Sequence, residues 1–263
     1  PGGQYKVSDT LQLGWGDTFR SVVIKGDGIR YAGETGFCGT SVTATFNDRP
    51  VFAVNGGRGT RIADLSIMGM NSTWVASNNL GVTCITGIDD IIESNWVDPK
   101  FPVSASSRYA PYCAIAIDPY AGNRPDVSYP DVKFPAWLGA MLQYGKPYSS
   151  ATVIENVQIR GFVVGVANQP CDDDGNGDYT KMGGCSIESD QFGISIGNTQ
   201  SRLFEFSNGT IARVHTGIVT AKHGRQAGKP SFYVRTSELG CVINWLQVPN
   251  IDYGGCPSFD NCY

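Results

Sequence analysis

The sequence predicts an all-β fold, a right-handed parallel β-helix with long loop insertions, and two observations carry the prediction: its composition and an internal repeat. Among 263 residues stand 33 Gly and 14 Pro, and only 17% of the residues are charged. That much backbone punctuation supplies turns and leaves little material for the charged faces of long helices. The repeat emerges when four segments are aligned on an apolar residue followed six positions later by glycine: Ile159 to Gly165, Ile187 to Gly193, Ile211 to Gly217, and Val234 to Gly240. The leaders are 28, 24 and 23 residues apart, and the glycines are followed by Val166, Ile194, Ile218 and Cys241.

A period of this length is the mark of a solenoid, in which each turn of chain offers short strands that cannot bury their apolar side chains alone. Neighbouring coils then stack at about 4.8 Å and share one core. The alignment predicts that Ile159, Ile187, Ile211 and Val234 form one inward column, and that Gly165, Gly193, Gly217 and Gly240 form a second column at a corner, where glycine reaches positive φ without strain. "TRIADLSIMGM", with Ile62, Leu65 and Ile67, matches "ATVIENVQIRGF", with Val153, Ile154, Val157 and Ile159, and places an earlier coil there. Runs such as "GISIG" and "TGIVT" are β-branched and flanked by glycine, which excludes a helical solenoid. A β-sandwich also has short alternating strands, but not this longer in-register period.

Two stretches break the repeat. From about 95 to 150 the chain is dense in proline and tyrosine ("DPYAGNRPDVSYPDVKFP"), a composition of loops rather than strands. Tyr109, Tyr112, Tyr120, Tyr129 and Trp137 lie in it. As a set they suit sugar binding, since aromatic rings stack on the apolar faces of sugars while their polar tips reach hydroxyls; each ring suits packing of the loop on the coils equally well. The second insertion, about 170–185, reads "CDDDGNGDYTKMGGC". Asp172, Asp174, Asn176 and Asp178 alternate as in the first half of a calcium loop, but Gly183 stands where a twelfth-position glutamate belongs. An exposed acidic turn without metal is the other reading. No cofactor is required by the sequence, and calcium enters only through this loop.

A net charge of −4 with no run of Lys or Arg argues against nucleic acid. No apolar stretch approaches the roughly 18 residues of a membrane-spanning helix. Of eight cysteines, Cys171 with Cys185 and Cys256 with Cys262 bracket short segments, so each pair suits either a disulfide or buried thiols. The absence of C-x-x-C leaves a zinc or thioredoxin-type site without support.

"IENVQIRGFVVGV" and "FSNGTIARVHTGIV" resemble coils of the pectate-lyase-like superfamily, which includes phage tailspikes, and "PGGQYKVSDTLQL" resembles the entry into the first coils of such chains. "CAIAIDPYAG" and "GISIGNTQSR" are similar to phage tail and receptor-binding β-helices more than to plant pectinases. The resemblance implies one β-helix domain over 1–263 within a longer protein, an extracellular or virion-surface setting, a parallel homotrimer and a surface polysaccharide as partner. The catalytic patterns of pectate lyases and polygalacturonases are not found; Asp89 and Asp90 form only a lone "DD".

Chemistry, if present, has two candidate sets of groups. Glu188 and Asp190 both face outward if Ile187 faces in, about 6.6 Å apart along an extended strand, a separation suited to an inverting glycosidase pair. The repeat also places Gln191, His215 and Glu238 in one column, so that a histidine stands beside a carboxylate. Arg213 is a candidate contact for substrate, and with His215 and Arg235 a candidate in lyase chemistry. Polar residues are ordinary on the outside of a solenoid, and all of these groups suit that plain role as well. Three functions follow as expectations: a tailspike-like attachment protein that binds and can depolymerise a surface polysaccharide, a secreted pectinase-like lyase or hydrolase, and a spike with no glycan activity.

Overall fold

The structure is a computed structural model and describes residues 2–14, 21–29, 39–46, 49–54, 56–69, 113–117, 149–162, 164–168, 177–188, 192–196, 203–214, 216–220, 232–240, 244–247 and 257–263. Over these residues the regular structure is entirely strand, and each strand pairing is parallel. In chain order the strands are β1 (Gly3–Val7), β2 (Leu11–Leu13), β3 (Val23–Lys25), β4 (Thr40–Ala44), β5 (Phe52–Val54), β6 (Arg61–Met68) and β7 (Cys113–Ile117). They continue with β8 (Val153–Arg160), β9 (Val164–Asn168), β10 (Lys181–Gly183), β11 (Ser186–Glu188), β12 (Phe192–Ile196), β13 (Phe204–Ser207) and β14 (Thr210–Ala212). The last are β15 (Thr216–Thr220), β16 (Phe232–Arg235), β17 (Glu238–Gly240), β18 (Asn244–Gln247) and β19 (Pro257–Asp260).

Successive coils pair in register, which gives an all-β architecture consistent with a β-solenoid. One sheet runs β2-β5-β7-β9-β12-β15-β18, here called face C. The other bends at a corner into two faces. Face A holds β3, the first halves of β6 and β8, β10, β13, β16 and β19. Face B holds β1, β4, the second halves of β6 and β8, β11, β14 and β17.

The bend is a column of left-handed residues: Asp64, Asn156, Gly184, Asn208, Thr236 and Asn261, with φ of 57°, 51°, 62°, 52°, 47° and 50°. A left-handed residue turns the chain between two strands, and Asn, Asp and Gly reach that conformation at least cost. Asn156 Nδ2 donates to Asp64 Oδ1 at 2.8 Å, linking two coils at the corner.

The inward column of face B is as predicted for three members: Ile159, Ile187 and Ile211 are in register and fully buried. The fourth is Leu239, not Val234. Val234 lies before the corner residue Thr236, on face A, paired with Phe206 and Phe259. All four sequence-picked leaders are nonetheless buried at 0% exposure.

The glycine column is also corrected. Gly165, Gly193 and Gly217 lie inside β9, β12 and β15 and stack level with one another, while Gly240 lies on face B opposite Ala212. These glycines do not form the corner. A Cβ on Gly193 would stand 2.5 Å from Ile211 Cγ2 and 2.7 Å from Gly217 O, so this glycine lets face C approach face B closely.

Within the stretch assigned to loops, Cys113–Ile117 forms β7 and is wholly buried in face C; its alternation of small and β-branched residues suits a core strand despite the surrounding prolines. Likewise β10 begins inside the second insertion. Of the two readings open for the cysteine brackets, the thiol holds for their described members: Cys185 and Cys262 are free. Cys185 Sγ points to the carbonyl oxygens of Ile154 and Gly183 at 3.5 and 3.4 Å, a core role.

From β8 onward the sequence offset between neighbouring coils is constant through faces A, B and C. Lys181, Ser186 and Phe192 each pair with the residue 28 positions earlier, and Glu205, Thr210 and Thr216 with the residue 24 positions earlier. In these coils differences in length therefore fall between the end of face C and the start of the next face A, whereas the coil of β6 and β7 is lengthened between face B and face C, from Met68 to Cys113.

Candidate functional site

Face B positions its outward side chains by the same register as its core. Met68, Arg160 and Glu188 follow one another on β6, β8 and β11, one residue beyond the isoleucine column. Arg213 comes just after β14, at a second left-handed corner (φ 54°) that Gly161 (φ 78°) also occupies. Three coils thus bring Arg160, Glu188 and Arg213 together, although they are far apart in the chain.

Arg160 Nη2 donates to Glu188 Oε1 at 2.7 Å, and Arg213 Nη1 lies 3.7 Å from Glu188 Oε2. Glu188 is 12% exposed and Arg160 20%, whereas Arg213 is 56% exposed. Arg160 Nε and Glu188 Oε2 are buried and without a hydrogen-bond partner among the described residues. A nearly enclosed carboxylate with one oxygen already engaged by a guanidinium is an anchor; it holds Arg160 and draws Arg213 over itself. Breaking a partly enclosed charge pair of this kind from one side costs about 1 to 3 kcal/mol.

Glu188 is therefore outward, as the alternation with Ile187 requires, but it is not open to solvent. Asp190 and His215 lie outside the described residues. The expected column of His215 with Glu238 is corrected at its described member: Glu238 pairs with Thr210, five residues earlier in the chain than His215. The error follows from Val234, whose alignment with Ile211 shifted the whole last coil. Glu238 itself is exposed. Arg235 is on face A with its guanidinium 5.4 Å from the Tyr233 ring centroid, across the corner from Arg213.

Tyr109, Tyr112, Tyr120, Tyr129 and Trp137 lie outside the described residues, as do Asp172, Asp174 and Asn176. Asp178 is half-buried and bridges to Ser150, with its carbonyl oxygen accepting from Ala151 N at 2.9 Å. The base of the acidic loop is fixed by Gly177, whose carbonyl oxygen accepts from Asn168 Nδ2 at 3.2 Å and Thr180 Oγ1 at 3.1 Å. A Cβ at Gly177 would collide with the Asn168 carboxamide, so this glycine has a packing reason apart from any metal. Among the described residues no group of His, Cys, Asp and Glu is arranged to hold a metal ion.

Sequence reasoning missed Arg160 and most of face A. The signal for Arg160 was in the repeat: it follows Ile159 as Glu188 follows Ile187, which places opposite charges at one level. Comparison with protein-family models and with curated proteins gives no match.

Proposed function

We propose that the chain is a right-handed parallel β-helix of the pectate-lyase-like kind, a tailspike-like attachment protein that recognises a surface polysaccharide outside the cell or on a virion. The observation that supports this reading is the register: outward side chains on faces A and B recur at each coil, at the strand spacing of about 4.8 Å. A rigid array of this kind loses little freedom on binding, and an extended polymer laid along it adds many weak contacts. Arg213, held out by Glu188, is one such contact in this reading, and Tyr109, Tyr112, Tyr120, Tyr129 and Trp137 supply stacking rings.

Depolymerisation is a second reading, favoured by the grouping of Glu188 with two arginines and by Asp190 and His215 lying close to them in sequence. In it Asp190 and His215 carry the proton transfers, and Glu188 positions the arginines. Calcium bound by Asp172, Asp174, Asn176 and Asp178, and assembly as a homotrimer, belong to the same proposal.

The test is incubation with a panel of capsular and lipopolysaccharide glycans, followed by a binding measurement and sizing of the products, with the mass in solution measured beside it. Retention of one glycan class by a trimer is the expected result, and shortened products add the depolymerase activity. A monomer that binds no member of the panel overturns the proposal.

A further inference from the structure

Where the chain passes from face C back to face A it turns through left-handed Gly59, Ala151, Tyr179 and Leu203, with φ of 72°, 55°, 58° and 57°. The residue after each is buried: Thr60, Thr152, Thr180 and Phe204. Val153 N donates to Thr60 O, Lys181 N to Thr152 O and Glu205 N to Thr180 O, so these residues step from coil to coil as one column, and Phe232 continues it by pairing with Phe204. Three threonines thus occupy a level that two phenylalanines fill farther on. At the end of face C, Asn168 likewise stands in a column between Ile117 and Ile196. A corner deep enough for a phenyl ring holds, in the earlier coils, side chains that are far smaller and polar.

Some of these polar groups are paired within the chain. Ser149 Oγ accepts from Gly56 N at 2.9 Å and donates to Val54 O at 3.0 Å. Thr180 Oγ1 and Asn168 Nδ2 converge on Gly177 O. Three oxygens are left: Thr60 Oγ1, Thr152 Oγ1 and Asn168 Oδ1 are buried, on residues of 0% exposure, and have no hydrogen-bond partner among the described residues. A Cβ on Gly57 would stand 2.5 Å from Thr60 Oγ1, and one on Gly177 2.0 Å from Asn168 Oδ1, so glycine leaves the approach to both oxygens bare. A buried polar oxygen is costly to leave unpaired, and water is the ordinary partner inside a fold. The spacing suits it. Neighbouring coils stand about 4.8 Å apart, and two hydrogen bonds of about 2.8 Å meeting at a tetrahedral angle span nearly the same distance. Three uncharged oxygens are too few for a calcium ion, which takes about six to eight. We infer that this corner binds internal water, one molecule between the hydroxyls of Thr60 and Thr152 and another on Asn168 Oδ1 beside Thr180. Ser149–Thr152 closes the proline-rich stretch and Gly177–Thr180 follows the run of aspartates, so the bound water fixes the two turns to which the insertions return.

The test uses the whole chain, with Thr152→Val and Thr60→Val as variants that keep nearly the same shape and remove one hydroxyl. Oxygen-17 magnetic relaxation dispersion counts long-held water molecules, and a high-resolution crystal structure places them. The expected result is ordered water within hydrogen-bond distance of Thr60 Oγ1, Thr152 Oγ1 and Asn168 Oδ1, with a dispersion amplitude that falls by about one molecule in Thr152→Val. The melting temperature of that variant is expected to fall by about 2 to 4 °C. The sign of that shift is informative, because valine in place of a dry hydroxyl relieves an unpaired group and raises the melting temperature. A raised melting temperature, or a dispersion amplitude that neither variant changes, overturns the inference. If both variants fail to fold, the wild-type crystal decides alone, and no density at the three oxygens overturns it. Density with five or more short oxygen contacts, or a melting temperature that follows exchange of sodium for potassium, assigns a cation in place of water and overturns it too.

Discussion

Along face B two rows share one backbone and one register. The inward row is Ile67, Ile159, Ile187, Ile211 and Leu239; the outward row one residue on begins Met68, Arg160, Glu188. The first hardly varies. The second changes chemistry at every coil. A stacked core requires each coil to present the same shape to its neighbours, so one residue type recurs. The outward row meets no such demand, and a position there is set by whichever partner it finds one coil away. Periodicity therefore reveals the inside of this molecule and is nearly silent on its outside.

The contrast can be tested by substitution on either row. Ile187→Ala, in the middle of the inward row at 0% exposure, is expected to cost about 2 to 5 kcal/mol, read by denaturant unfolding. A loss below about 1 kcal/mol would mean that the column is not the packed core.

Next in size is a pH effect inside the corner. Burial is the main reason the Cys185 thiol is pushed up from 9.0 to about 11. Its protonated form is favoured by folding, so between these two values the native state holds a proton that the unfolded chain has released. Stability is full below pH 9 and falls as pH rises toward 11, by about 1.4 kcal/mol per unit and about 3 kcal/mol in all. Cys185→Ala should flatten that part of the pH profile; an unchanged slope would assign the loss to other groups.

The smallest effects belong to outward-facing residues of face B and should differ between two of its glutamates. Glu188→Gln leaves the enclosed Arg160 without its counter-charge and is expected to cost about 1 to 3 kcal/mol, whereas exposed Glu238→Gln should change stability by less than about 0.5 kcal/mol. Equal losses for the two would erase the distinction between an anchored and a solvated carboxylate.

The repeat of Ile159, Ile187 and Ile211 was legible because three coils keep the same path from face A to face B. Val234 was misplaced because its coil contains the same apolar-to-glycine interval on the wrong side of the corner, and the left-handed conformation of Thr236 has no signature in that residue type. Glycine suggested corners, but Gly193 serves a close approach between faces, and only coordinates reveal the Ile211 methyl that demands it. Asn208 is an instructive opposite: asparagine is a residue type that reaches the left-handed region at little cost, and its φ is 52°. For the site, alternation correctly turned Glu188 outward. Its ion pair with Arg160 is a contact across 28 residues of chain and requires the coil register, which the sequence supplied only approximately.

The constant offset through the three faces from β8 onward separates two kinds of sequence change. A residue added inside β8 or inside β9 would shift the pairings that follow it in that strand and turn core side chains outward. A residue added between the end of face C and the next face A alters only the length of a connection, and loop closure penalises extra length weakly. The coil of β6 and β7 is lengthened between faces B and C, but from β8 onward the stack has one seam along which a lineage can lengthen, shorten or exchange peptide while the coils keep their addresses. New recognition can be acquired along that seam without renegotiating the fold.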